Sequence, residues 1–196
     1  MFDTNTVVMF FTASVLLALA PGPDNLYVMS QSMVKGKAAG LLVTLGLGTG
    51  LIGHTMAVAL GVAVLFRTSI VAFTILKLAG AAYLLYLAWK AFTAGDGGKL
   101  NLQKVGATSY WYLYRRWIIM NITNPKVSIF FLAFLPQFAD PSKGHMTMQV
   151  MLLGGMFMVS ALVVFSSIAY LAAMIGTWFM RSKRAEKILN RSAGIV

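Results

Sequence analysis

Apolar residues in this chain run in long blocks, with little of the alternation expected of strands. Stretches 39–66, 69–92 and 147–180 are each nearly unbroken, and stretches 7–34 and 116–138 join them if a proline break inside each is allowed. A helix needs about 20 mostly apolar residues to cross a bilayer, whereas barrel strands alternate weakly over about 10. The pattern therefore predicts five membrane-spanning helices. The fold class expected is an all-α integral membrane protein, a polytopic helical bundle.

Composition strengthens that reading. Hydrophobic residues make up 59% and charged residues 11% of the 196 positions, and mean hydropathy is +0.78. Soluble domains carry about 25% charged residues, so this chain has too little polar surface to face water on all sides. The segment Ala18-Leu19-Ala20 mimics a signal-peptide cleavage site, but no Lys or Arg precedes it. Signal peptides carry a positive n-region, so residues 7–20 are read as retained.

The net charge of +11 would fit nucleic acid in a soluble chain, but here its placement marks orientation. Lys35 and Lys37 follow the first stretch, and Lys90, Lys99, Lys104, Arg115 and Arg116 surround the connection after the third. Arg181, Lys183, Arg184, Lys187 and Arg191 follow the fifth, whereas Arg67 and Lys143 stand alone after the second and fourth. The positive-inside rule puts the loops after spans 1, 3 and 5 in the cytoplasm and the N-terminus outside. Tyr110, Trp111, Tyr112, Tyr114 and Trp117, with Trp89 and Trp178, then fall at headgroup level, where amphipathic rings are favoured.

The hydrophilic run around Gly95-Asp96-Gly97-Gly98 is the expected boundary between halves. Residues 1–92 form a first three-span repeat, 93–114 a cytoplasmic linker, and 115–196 a second repeat. After the fifth span, Asn190-Arg191-Ser192-Ala193-Gly194-Ile195-Val196 resembles the entrance to a sixth, which the chain does not complete. Three spans in each half would set the halves in opposite orientations, the 3+3 inverted-repeat plan of many secondary transporters.

Two of the stretches are interrupted. Ala20-Pro21-Gly22-Pro23-Asp24-Asn25 cannot continue a helix, because each proline lacks an N–H and clashes with the preceding turn. Asn121-Ile122-Thr123-Asn124-Pro125-Lys126 pairs a favoured N-cap with a favoured first helical residue, so a new helix is expected from Asn124. Each break exposes a helix N-terminus with unpaired N–H groups and partial positive charge, an arrangement that binds carboxylates near the midplane in transporters. Asp24 adds a negative charge and Lys126 a positive one, so the site suits a zwitterion, most simply an amino acid. The plainer reading makes the prolines ordinary kinks, Asp24 a helix cap, and Lys126 a snorkelling side chain or an ion-pair partner of Asp24. Two interrupted spans, each with its own charge, favour a site over that reading, since intramembrane ionisable residues are expensive and functional by default.

Other polar positions carry less. His54 follows Gly46, Gly48, Gly50 and Gly53; it is either a proton carrier or a hydrogen-bonded structural histidine, and the glycines let helices approach. Lys77 is expected to snorkel, and Gln137 and Asp140 to be solvated. With no cysteine and two histidines, neither a metal nor another cofactor is expected. Export of another small solute, a metal or drug-like cation, is the rival reading; against a metal site, Asp24 is the one acidic residue inside a span and there is no cysteine. A membrane enzyme would need clustered acids, paired histidines or a nucleophile with its base. A non-catalytic assembly subunit would not need two charged breaks.

The motifs resemble those of the LysE/RhtB-type amino-acid exporters of bacteria. Ala20-Pro21-Gly22-Pro23-Asp24 is similar to the family's first-span signature and Gly80-Ala81-Ala82-Tyr83-Leu84 to its third-span pattern. Asn124-Pro125-Lys126 with Phe130-Phe131-Leu132-Ala133-Phe134-Leu135-Pro136-Gln137-Phe138 is similar to its fourth-span signature. The family's glycine seven residues before the Asn-Pro-Lys asparagine is here Trp117. The resemblance implies a bacterial inner-membrane transporter exporting amino acids or close derivatives by proton antiport, nearer the homoserine, threonine and leucine branch, with a homodimer as a candidate assembly. On that view Pro21, Gly22, Pro23, Asp24, Asn25, Asn121, Asn124, Pro125 and Lys126 bind substrate, and Asp24 and His54 couple protons.

Overall fold

The structure, a computed structural model that describes residues 2–68, 70–93 and 109–181, is helical with no strand among the described residues. Helix α1 spans Thr4–Leu19 and starts at a true cap, the Asp3 carboxylate accepting from the Thr6 amide at 2.7 Å. It stops because Pro21 lacks an N–H and forces the residue before it out of helical geometry, and Ala20 is accordingly extended (φ −57°, ψ 127°). Helix α2, Pro23–Lys35, resumes with a proline in its first turn. The two meet at 59°, and together they are long and apolar enough to form one bent span.

Gly36 closes α2 with φ +85°, a left-handed conformation that L side chains rarely adopt, and the chain turns straight into α3, Lys37–Thr68. Helix α4 covers Ile70–Thr93, and α5 covers Tyr110–Ile122. Helix α6, Pro125–Ile129, passes into a π-helical turn over Phe130–Phe134 and a 3-10 turn over Leu135–Phe138. The pair from Tyr110 to Phe138 is bent by 48°. Helix α7 is the longest, Met146–Arg181.

Among the described residues α3 and α7 are each long and apolar enough to cross a membrane, and the two bent pairs bring that number to four. Helix α4 occupies the third apolar stretch, 69–92. Helix α5 begins at Tyr110, ahead of the apolar run that predicts it, because Tyr110–Arg116 are helix-compatible but too polar to register as a span. The Gly95–Gly98 boundary and the entrance to a sixth span fall on residues 94–108 and 182–196, outside the described residues.

Helices α3 and α7 pack against each other and against α2, with α5 on the other side of α3. Val43, Leu47, Leu51, Val150 and Leu153 are fully buried between them. Phe130 and Phe131 both pack against Phe157 of α7, at 4.6 and 5.3 Å between ring centres, the second edge-on. Leu60, Val71, Leu85, Trp111 and Leu171 point outward and are exposed, the inverse of a soluble surface and what lipid requires.

Between membrane helices, close packing replaces the hydrophobic driving force, and the glycines provide it. A Cβ on Gly46 would lie 2.8 Å from that of Trp117, and one on Gly80 would collide with Ala133 of the π-helical turn. Trp117 is therefore accommodated by Gly46 opposite it. Its ring is buried and lies 4.7 Å from that of Tyr27.

Candidate functional site

The two interruptions meet in the interior. Lys126, in the first turn of α6, donates from Nζ to the carbonyl oxygen of Ala20 at the end of α1, at 2.7 Å. That carbonyl lies at a helix end next to prolines, where backbone acceptors lose their helical partners. Gly22 faces the same side chain: a Cβ there would sit 3.5 Å from both Cδ and Nζ of Lys126. The lysine thus fills the space that the Pro-Gly-Pro break opens.

Asp24 follows in the first turn of α2 and is 7% exposed. Its carboxylate is approached by the side-chain amides of Asn124 and Asn121 and feels the charge of Lys126. It forms no ion pair with that lysine; the salt bridges among the described residues join Lys143 to Asp3 and Asp140. Asn25 donates from Nδ2 to the Ala18 carbonyl at 2.7 Å, tying α2 back to the end of α1.

The second break is ordered by its asparagines. Asn124 caps α6, its Oδ1 accepting from the Lys126 amide at 3.0 Å. Asn121 is buried against α3, where a Cβ on Gly50 would meet its Oδ1 at 2.6 Å. Its backbone carbonyl is 3.1 Å from His54 Nε2, so His54 of α3 reaches the site through Asn121. The His54 ring also lies 5.5 Å from that of Phe131.

Hydrogen bonding around the breaks is incomplete. Asn25 Oδ1, Asn121 Oδ1 and Asn124 Nδ2 are buried without a formed partner, although buried polar groups are paired in the great majority of cases. A mostly apolar cavity of about 270 Å³ lies at Lys126, bounded by Leu16, Leu17, Ala20, Pro21 and Phe134, and neither Asp24 nor the three asparagines line it. Pro23 and Pro125, the first residues of their helices, are exposed. Among the described residues no three of His, Asp and Glu come together as metal ligands.

The chain matches the LysE type translocator family model over residues 15–196. It belongs to the LysE type translocator family. It is 36% identical over 186 residues to the "Homoserine/homoserine lactone efflux protein" of Salmonella typhimurium (strain LT2) and, equally, to that of Salmonella typhi, covering 94% of this chain and 88% of each relative. It is 27% identical over 200 residues to the "Uncharacterized membrane protein YrhP" of Bacillus subtilis, covering 98% and 94%. No solved structure matches it. This LysE-type chain is an integral membrane transport protein for a small molecule, and not an enzyme.

The structure brings Gly22, Asp24, Asn121, Asn124 and Lys126 together and adds His54 through a backbone carbonyl. Sequence reasoning reads Gly50 only as a packing glycine and misses that it seats Asn121; the spacing Gly46, Gly48, Gly50 was the available signal. Phe134 and the π-helical turn are missed as well. Pro136 in an aromatic run is their trace, since its missing N–H denies a partner to the carbonyl four residues earlier. Gln137, expected to be solvated, is half-buried and donates to the Ala133 carbonyl at 2.6 Å.

Proposed function

We propose that this protein exports amino acids of the homoserine type, or close derivatives such as their lactones, from the cytoplasm in exchange for protons. The observation that carries the proposal is the meeting of the two breaks, with Lys126 on Ala20 and Asp24 beside Asn121 and Asn124. The partnerless acceptor on Asn121 complements an ammonium, and the Asn124 amide faces the Asp24 carboxylate. Helix α2 begins at Gly22 without a side-chain cap, so its end can receive the carboxylate together with Lys126. The α6 end is already occupied by the Asn124 side chain. Asp24 then takes the ammonium, and a proton on Asp24 competes with substrate.

Further support comes from the relatives, whose names specify homoserine and homoserine lactone efflux. The loop charges favour a bacterial inner membrane with the N-terminus outside. One break in the first span of each half favours the 3+3 inverted repeat.

The test is uptake of radiolabelled homoserine, threonine and leucine into everted vesicles bearing the protein. A proton gradient should drive accumulation and a protonophore should abolish it. Normal transport by Asp24→Asn would remove the central role of Asp24. If His54 relays the proton, His54→Gln shifts the pH profile of uptake; an unmoved profile removes it from the coupling path.

A further inference from the structure

The cavity beneath Lys126 shares a wall with a second one. The second, of about 400 Å³, lies at the end of the bundle that holds the Asp3–Lys143 ion pair, and Thr6, Met9, Gln137, Asp140 and Lys143 border it. Phe134 lines both cavities. Helix α1 runs past both: Met9 fronts the second and Ala13 the first, one turn and about 6 Å further along.

Phe134 differs from the rings around it. Phe10, Phe130 and Phe131 are buried core side chains, whereas Phe134 is half-buried and borders a cavity on each side. It is held by ring contacts with Phe130 and Phe138, each at 5.0 Å. Its backbone closes the π-helical turn, in which the Leu135 amide bonds to the Phe130 carbonyl. Such turns occur disproportionately at functional positions.

We propose that Phe134 is the gate between the apolar cavity at Lys126 and the vestibule bordered by Asp140 and Lys143, and that its ring limits the size of solute that passes. This rests on the reading that the Lys126 cavity holds substrate. Swinging the ring off Phe130 and Phe138 joins the two cavities. The vestibule beyond supplies Thr6, Gln137, Asp140 and Lys143 as polar groups for a solute leaving the apolar passage.

The chain contains no cysteine, so single cysteines at Met9→Cys and Ala13→Cys report on the two cavities without background. A membrane-impermeant methanethiosulfonate, applied from the side on which Met9→Cys reacts, should label Met9→Cys fast and Ala13→Cys slowly. Adding Phe134→Ala should speed Ala13→Cys labelling by about tenfold, the factor expected when two aromatic contacts of ordinary strength are lost. The Met9→Cys rate should stay the same, which also shows the bundle intact. If Phe134→Ala does not fold, Phe134→Leu should give a smaller increase in the same direction. Fast labelling of Ala13→Cys with Phe134 intact, or no acceleration in either variant, overturns the gate. Labelling needs no substrate, so it separates a failure of this proposal from a failure of the export reading, which shows only in the uptake assay.

Discussion

Lys126 Nζ sits 2.7 Å from the Ala20 carbonyl oxygen, linking residues 106 positions apart and closing one helix break with the side chain of the other. The contact joins the two bent helix pairs at the point where each has given up its helical hydrogen bonds. It also holds the lysine at the edge of the cavity.

Lys126→Met should keep the apolar stem and lose the bond. A hydrogen bond involving a charged group contributes about 1.5–3 kcal/mol, so the variant should unfold at lower temperature in detergent and lose uptake in everted vesicles. Uptake at the level of the parent protein would show that the ammonium does not contact substrate.

Asn124 has two tasks that substitution can separate. Asn124→Ala removes the α6 cap, a loss of about 1 kcal/mol, together with the amide facing Asp24. Asn124→Ser restores a capping oxygen without that amide. Thermal stability should recover in the serine variant while uptake stays low; recovery of both would make Asn124 a cap and nothing more.

Gly50→Ala places a methyl group 2.6 Å from Asn121 Oδ1. Overpacking of this kind costs about 1–3 kcal/mol, and it pushes Asn121 away from His54 and Asp24. Gly155→Ala in α7, whose Cβ would meet nothing within 4 Å, serves as the matched control. Uptake should fall in the first and persist in the second.

At the end of α1 the effect of pH has a definite sign. The Thr6 amide, then the Thr6 hydroxyl and Lys143, hold the Asp3 carboxyl down at about 2 from its ordinary 3.8. A depressed folded value means that the stabilisation is complete above 3.8 and disappears as the pH falls through about 2. Being exposed, the pair is also screened by salt. Melting curves of the parent and Asp3→Ala should differ at about pH 5 and converge near about pH 2, and a gap that persists in acid would assign the effect to something other than the carboxylate.

What the sequence shows of this molecule is what local chemistry decides. Proline has no N–H wherever it stands, so the ends of α1 and α2 at Leu19 and Pro23 follow from Pro21-Gly22-Pro23. Asparagine before proline is a helix start in almost any context, and Asn124 caps α6. The meeting of the two breaks is a different kind of fact. It depends on how α2 and α5 pack on α3 and how α1 packs on α7, and periodicity within one stretch carries no trace of that. Gln149 makes the same point: it sits in the first turn of the apolar helix α7, yet is fully buried and bonds to the amide and carbonyl of Asp140 and the carbonyl of Gly144. Nothing short of the folded turn reveals it as the clasp of that loop.

The two bent spans and the two straight ones divide the mechanical properties of the bundle between them. Flexing α3 or α7 at mid-length would rupture intact backbone bonds in a medium with no water to replace them. At Pro21–Gly22 and Thr123–Asn124 the ladder is already open, so rotation there breaks little that was whole. The protein therefore has soft joints set between stiff rods, and they coincide with the residues that hold its buried charges.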